Sequence, residues 1–337
     1  MRFRGVWSGQ MVWLLWLLLS LLTGPQEDLA EVRALREIER LGGTVFRDLF
    51  PEQAGVDLTF QWWGGFPSQR LFGDQDVHWL KDIKNLTILE LVGTEVTDNG
   101  LKEIAAFDNL RWLTLNEHIT DQGLLELARL KNLTQITAFG PKFTDRGVGG
   151  LSGLKKLEHL ALDESRITDE ALKSISHLGN LRFLSLSRTK VSDKWLSRIA
   201  QLDKLEWLRL EQLPITDTGL KQLKGFKNLR QLYLSETKIG DSGLKELSGL
   251  EHLTDLVVSN TKITEAGISE LHKFKQLQML YLNGTLITDK SVPDLCALKR
   301  LSFLDVSDTK ISKEGQKKLA AELPNANLYG SDVNIAR

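Results

Sequence analysis

From Asn85 onward the apolar and polar positions follow one rule, copy after copy. Leu89 and Leu91 alternate around Glu90, the period of a strand with one buried face. Val96 adds one more apolar anchor, and Thr97-Asp98 follows it. Thr can cap free backbone N–H groups, and Asp in a first turn suits the positive end of a helix, so a helix is predicted to start here. Leu101, Ile104 and Phe107 then recur three apart, as one helical stripe. The next copies begin at Asn109, Asn132, Lys156, Asn180, Lys204, Asn228, His252, Gln276 and Arg300, so ten repeats averaging 24 residues fill 85–324. The shared pattern is LxxLxLxxTxITDxGLxxLxxLxx.

Each unit is therefore a strand, a turn and a short helix, and none can bury its apolar stripe alone. Stacked neighbours make a continuous core. Parallel strands sit about 4.8 Å apart, whereas helix axes need roughly 8–10 Å. The array must bend, with strands on the concave side and helices on the convex side. The expected fold class is α/β: a solenoid (horseshoe) with a concave parallel β-sheet, convex short helices and an N-terminal helical cap.

The pattern resembles the leucine-rich repeat family in a bacterial-type variant with Thr-x-Ile-Thr-Asp-x-Gly-Leu. The Ile-Thr-Asp-x-Gly-Leu segment is also similar to repeats attached to F-box proteins. The resemblance covers 85–324. It implies a horseshoe that binds other molecules, usually proteins, on its concave face, and it carries no catalytic residue over to this chain. In many such repeats an Asn at the ninth position ties neighbouring backbones together. Here that position holds Thr94, Ser165, Thr189, Thr237, Thr261, Thr285 and Thr309, whose hydroxyls can serve the same role. The exceptions, His118, Pro141 and Leu213, mark places where local distortion is expected.

The flanks read differently. Arg2 and Arg4 precede an apolar run from Met11 to Leu22, the layout of an export signal, so 1–26 is taken as a signal peptide or an N-terminal anchor. The run is short for a spanning helix, and no small-x-small cleavage pattern follows it, so attachment to a membrane through 6–23 stays open beside cleavage. Residues 27–54 read as a capping helix and strand: Val32, Leu35, Ile38 and Leu41 form a stripe, closed by Gly42-Gly43. Residues 55–84 read as a degenerate first repeat, since Asp74–Ile83 aligns with Asp98–Phe107 at an offset of 24, interrupted by an insertion from Gln61 to Arg70. Residues 325–337 read as a closing edge.

Composition agrees with repetition: 64 of 337 residues are leucine, about double the ordinary share. Lys plus Arg is 43 and Asp plus Glu is 44, a net charge of −1, which argues against a nucleic-acid partner. Cys296 is the only cysteine, so there is no intrachain disulfide. It reads as a small core side chain rather than a reactive thiol. The six histidines show no ligand spacing, and His159 near Asp163 and Glu164 reads as a solvated or stacking ring rather than a metal ligand. No phosphate loop, nucleophile elbow or paired catalytic carboxylates are present. No cofactor, no metal and no catalytic residue are expected.

Specific chemistry is concentrated on the strand positions between the leucines. Aromatics and Arg there are the residue types of binding hot spots, which gives a candidate partner-binding stripe of Trp112, His159, Phe183, Trp207, Arg209, Tyr233 and Tyr281. For each residue alone the competing reading is cover for neighbouring strands. Trp62 and Trp63 are a second candidate, against the reading that they plug the open end of the core. The expected function is a non-enzymatic, exported, monomeric interaction scaffold with a protein partner. The alternatives are an F-box-like substrate receptor in protein turnover, for which 26–49 offers no F-box-like module, and an envelope structural or glycan-binding protein.

Overall fold

The computed structural model describes residues 29–47, 54–57, 71–330 and 333–335. The export-type segment and the Trp62–Trp63 insertion lie outside the described residues. Helix α1 (Leu29–Arg40) comes first. Its buried residues are Glu31, Ala34 and Ile38, followed by Leu41. The buried face is thus rotated from the expected stripe, and Val32 and Leu35 are only half-buried. An acid is tolerated inside because the Glu31 carboxylate accepts from the Lys84 backbone N–H at 3.2 Å. Gly42, at φ 89°, turns the chain out of the helix, and Gly43 N–H reaches back to Ile38 O at 2.9 Å.

All described strands form one sheet in chain order, β1 to β14. Strands β1 (Thr44–Arg47) and β2 (Ala54–Asp57) pair antiparallel at one end. From β2 the sheet runs parallel through β3 (Leu86–Glu90), β4 (Trp112–Thr114), β5 (Gln135–Thr137), β6 (His159–Ala161) and β7 (Phe183–Ser185). It continues through β8 (Trp207–Arg209), β9 (Gln231–Tyr233), β10 (Asp255–Val257), β11 (Met279–Tyr281), β12 (Phe303–Asp305) and β13 (Asn327–Gly330). At the other end β14 (Val333–Ile335) pairs antiparallel with β13. The leucine-rich solenoid is therefore an open parallel sheet backed by short helical turns.

The core follows the repeat. Leu89, Leu91, Val96, Leu101, Ile104 and Leu110 are fully buried, and their equivalents repeat along the chain. Each such leucine contributes about 1.5–3 kcal/mol relative to exposure. Alternation then sends the residues beside Leu89 to the opposite, partly exposed face of the sheet.

The Thr-Asp-x-Gly segment has a larger role than capping its own helix. Thr97 does cap, its hydroxyl accepting from Asn99 N–H. But Thr97 N–H and Gly100 N–H both donate to Asp74 Oδ1, at 2.7 and 3.0 Å, one repeat earlier. Asp98 likewise receives Thr120 N–H at 2.8 Å, Asp121 receives Thr144 N–H at 2.8 Å, and Asp145 receives Thr168 N–H at 2.7 Å. The same bond recurs at Asp169, Asp193, Asp217, Asp241 and Asp289. Each acid thus fastens the next helix start, and the bonds form a seam along the solenoid. The glycine follows from this geometry: a Cβ at Gly100 would stand 2.5 Å from Asp74 Oδ1, and one at Gly123 2.5 Å from Asp98 Oδ1. The place is not glycine in every copy: Ala171 still donates to Asp145 Oδ1 at 3.2 Å, Trp195 follows Asp169, and where the acid is Glu265, Thr288 Oγ1 donates to its longer side chain and Ser291 takes the place.

The hydroxyl column behaves otherwise than expected. Thr94 Oγ1 donates to Leu91 O at 2.8 Å, inside its own repeat, and Ser165, Thr189, Thr237, Thr261, Thr285 and Thr309 do the same. These hydroxyls donate within their own repeat and close a turn, because a Thr side chain is too short to donate across to the neighbour. The turn needs the preceding residue in the left-handed region, as at Glu164 (φ 61°), Arg188 (58°) and Glu236 (57°). At Gly284 (φ 70°) a Cβ would also stand 2.0 Å from Asn260 Oδ1. The expected distortions are mild. Gln212, before Leu213, keeps φ 55°, and strand register is continuous throughout β3–β13. Around His118 the buried Asn116 supplies the tie, donating to Thr94 Oγ1 (2.8 Å) and Val96 O (2.9 Å) across the repeat boundary.

Candidate functional site

Strand register decides which of the candidate side chains meet. His159, Phe183 and Trp207 occupy the same register row on β6, β7 and β8. His159 stacks on Phe183 with ring centroids 5.6 Å apart, and Phe183 meets Trp207 edge-on at 4.8 Å. Trp207 then stacks on Tyr233 at 5.9 Å, and the Arg209 guanidinium lies 5.3 Å from the Tyr233 ring centre. Five of the seven expected residues therefore form one continuous block. Each such ring pair adds about 0.5–1.5 kcal/mol beyond its burial.

The other two are elsewhere. Trp112 sits on β4, separated from His159 by Gln135 on β5. Tyr281 belongs to a second stack, on Phe303 at 4.5 Å, which continues to Tyr329 at 5.1 Å. Phe303 and Tyr329 extend the site beyond the sequence expectation. Phe303 lies in the same strand position as Trp207, and Tyr329 follows the Asn327-Leu328 start of the last parallel strand. Tyr329 is 43% exposed, the largest exposure in either stack. Val257, on the strand between the two stacks, is itself buried.

The electrostatics of this face differ from the chain average. Its strand positions, with the second residue past each strand, carry Glu90, Asp163, Glu211, Asp255 and Asp305 against Arg209. Arg209 is engaged with Glu211 at 2.7 Å. Burial pushes the His159 imidazole below its ordinary value, favouring the neutral ring. Burial also pushes the Asp255 carboxyl and the Tyr233 and Tyr281 hydroxyls up, the two tyrosines further through nearby carboxylates. Asp163 is occupied structurally, accepting from Ser185 Oγ and Ser187 N–H.

Polar satisfaction is incomplete here. Trp112 Nε1, Trp207 Nε1, Arg209 Nε and Gln231 Oε1 are buried and find no hydrogen-bond partner; the remaining cases among the described residues are Trp195, Ser291 and Gln316. Native interiors leave few groups in this state. Elsewhere the chemistry is plain. Burial raises the Cys296 thiol, which suits a core side chain and disfavours thiolate. Among the described residues no three His, Cys, Asp or Glu converge on a metal-sized site, and no helix is long and apolar enough to cross a membrane.

The leucine-rich repeat model matches residues 83–105 and 227–248. Among solved structures, the chain is similar to an internalin from Listeria monocytogenes, with 20% identity and a TM-score of 0.58, over 79% of this chain and 85% of that one. It is also similar to internalin C2 of the same organism, with 26% identity and a TM-score of 0.47, over 64% of this chain and 85% of that one. No curated protein matches the chain. The periodicity, the parallel sheet and these likenesses agree on the fold, a solenoid of leucine-rich repeats.

Proposed function

We propose that the protein is a non-enzymatic interaction scaffold that binds a protein partner on the concave sheet. The observation that carries this reading is the continuous block of His159, Phe183, Trp207, Tyr233 and Arg209, aligned by strand register and half-exposed. A sheet face meant only for solvent has no need of stacked aromatics on adjacent strands, whereas clustered Trp, Tyr and Arg are what binding hot spots use. The buried donors and acceptors left without partners on the same face support the reading.

The aromatic row beginning at His159 and the row ending at Tyr329 together span β6 to β13, about 34 Å at ordinary strand spacing. That length suits a protein surface or an extended chain rather than a small molecule. Trp112 and the Trp62–Trp63 insertion are proposed as outlying contacts. The protein acts as a monomer outside the cytoplasm, directed there by the Arg2–Leu22 segment and either freed or held by it.

The test is capture of the partner by full-length protein, in parallel with a Trp207→Ala, Arg209→Ala double variant of equal stability. Loss of the partner only in the variant supports the reading, and equal capture by both overturns it. Cell fractionation tests the location: full-length protein found only in the cytoplasm overturns the export proposal.

A further inference from the structure

Between the two aromatic stacks the register row steps down to one short side chain, a notch in the row of rings. Along one register row the side chains run Arg209, Tyr233, Val257, Tyr281, Asp305, Tyr329. The short Val257 lies between two tyrosines, whose backbones stand two strand spacings apart, roughly 9.6 Å. Beside Val257 in the neighbouring row is Asp255, flanked by Gln231 and Met279. Asp255 is only 7% exposed; the Thr254 and Gln231 side chains hydrogen-bond to its carboxylate, and no Lys, Arg or His of the described residues supplies it with an opposite charge. A desolvated carboxylate is costly without an opposite charge. Asp305, on the far side of Tyr281, adds a second negative charge, and both acids act on the Tyr281 hydroxyl.

The three features agree on one chemistry. Aromatic walls attract a cation through their ring faces, a carboxylate at the base attracts it through charge, and the apolar floor accepts the methylene stem of a long side chain. The molecule already shows the first of these, since the Arg209 guanidinium stands 5.3 Å from the Tyr233 ring. The surrounding face is acidic, its one Arg being held by Glu211.

We infer that the notch between Tyr233 and Tyr281 receives an arginine or lysine side chain from an extended basic segment of the protein partner. This rests on the concave face being the docking surface. In an extended segment alternate side chains point to one side, so further cations of the segment fall toward Asp305 and Glu211.

The experiment titrates full-length protein with fluorescein-labelled octapeptides of sequence (Ser-Arg)4, (Ser-Gln)4 and (Ser-Glu)4, read by fluorescence anisotropy at low and high salt. The Arg peptide is expected to bind at least about tenfold more tightly than the Gln peptide, with the advantage shrinking in salt. Asp255→Asn and Val257→Phe, the first removing the charge and the second filling the notch, are each expected to weaken Arg-peptide binding about tenfold. Thermal melting verifies that both variants are folded, and Thr137→Val on β5 serves as a variant away from the notch. Binding of the Glu peptide as tightly as the Arg peptide overturns the inference, as does unchanged Arg-peptide binding in both folded notch variants. The two readings separate through the natural partner. If it is lost by the Trp207/Arg209 variant and kept by both notch variants, the docking surface stands and the notch assignment falls. If every variant keeps it, the docking surface itself falls.

Discussion

The seam of acids and the aromatic face lie on the same repeats but obey opposite rules. Along the seam one chemistry is copied almost without change: Asp74, Asp98, Asp121 and Asp145 each hold the next Thr N–H at 2.7–2.8 Å. Along the sheet face the equivalent positions run through Gln135, His159, Phe183, Trp207, Gln231, Asp255 and Met279, with no one chemistry shared along the whole row. A position that must satisfy its neighbour in every copy is bound to the period. A position that faces outward is released from it and can be assigned to a partner. The difference separates what builds the solenoid from what it presents.

Variants on the two sides should therefore fail in different ways. The largest effect is expected on the seam, from Gly123→Val. Its Cβ would meet Asp98 Oδ1 at 2.5 Å and Ile119 Cγ2 at 2.6 Å. A loss of about 3 kcal/mol in unfolding free energy is expected, read by denaturant titration. A loss under about 1 kcal/mol would show that the repeats can move apart to admit it. On the sheet face, Trp207→Ala with Arg209→Ala is expected to cost about 100-fold in partner affinity, in a binding titration, with melting temperature little changed. A large drop in stability instead would place these side chains with the structural cover.

Next comes Asp121→Ala, which leaves Thr144 N–H and Oγ1 without their acceptor. About 2 kcal/mol of stability should go, with concave-face binding retained. Asp255→Asn should act in the reverse sense. Its folded carboxyl is pushed up by burial, so the charged form opposes folding at neutral pH, and the amide should raise the melting temperature there while weakening Arg-peptide binding. The smallest effect concerns His159, whose folded imidazole is held below its ordinary range. The unfolded chain then takes up the proton first, so its contribution is intact above about pH 6.5 and lost as pH falls below it. Unfolding free energy followed from pH 7.5 downward should show a decline that His159→Gln removes.

How much of this was readable in the chain differs between the same two regions. Leu89, Leu91, Leu101 and Ile104 announce strand and helix through spacing alone, because those bonds and contacts are local. The seam is not legible in that way. Thr97 and Asp98 are neighbours in sequence, yet Asp98 serves Thr120, 22 residues on, and only stacking reveals it. The same holds for Glu31, which looks like a surface residue until Lys84 N–H is found against it. On the sheet face, alternation identified the exposed positions, and register then grouped them. Trp112 falls away because Gln135 intervenes, whereas Tyr281 joins Phe303 and Tyr329, since neighbouring strands lie within ring-stacking distance. The hydroxyl column departs from the expectation because reach across the repeat boundary, rather than bonding capacity, decides where its hydroxyls donate.

The seam also gives the solenoid a direction and a stop. Each repeat supplies an acceptor that only its successor can use, so growth is a head-to-tail addition, like a polymer with one reactive end. Asp289 serves the Ser312 N–H, and the place of the next acid is taken by Lys313, which offers no acceptor. The series therefore terminates by one residue. An extra repeat copied between existing ones should stack by the same bonds, whereas one added after Glu322 would need an acid at position 313 first. Length, in this architecture, is encoded as a chemical end group.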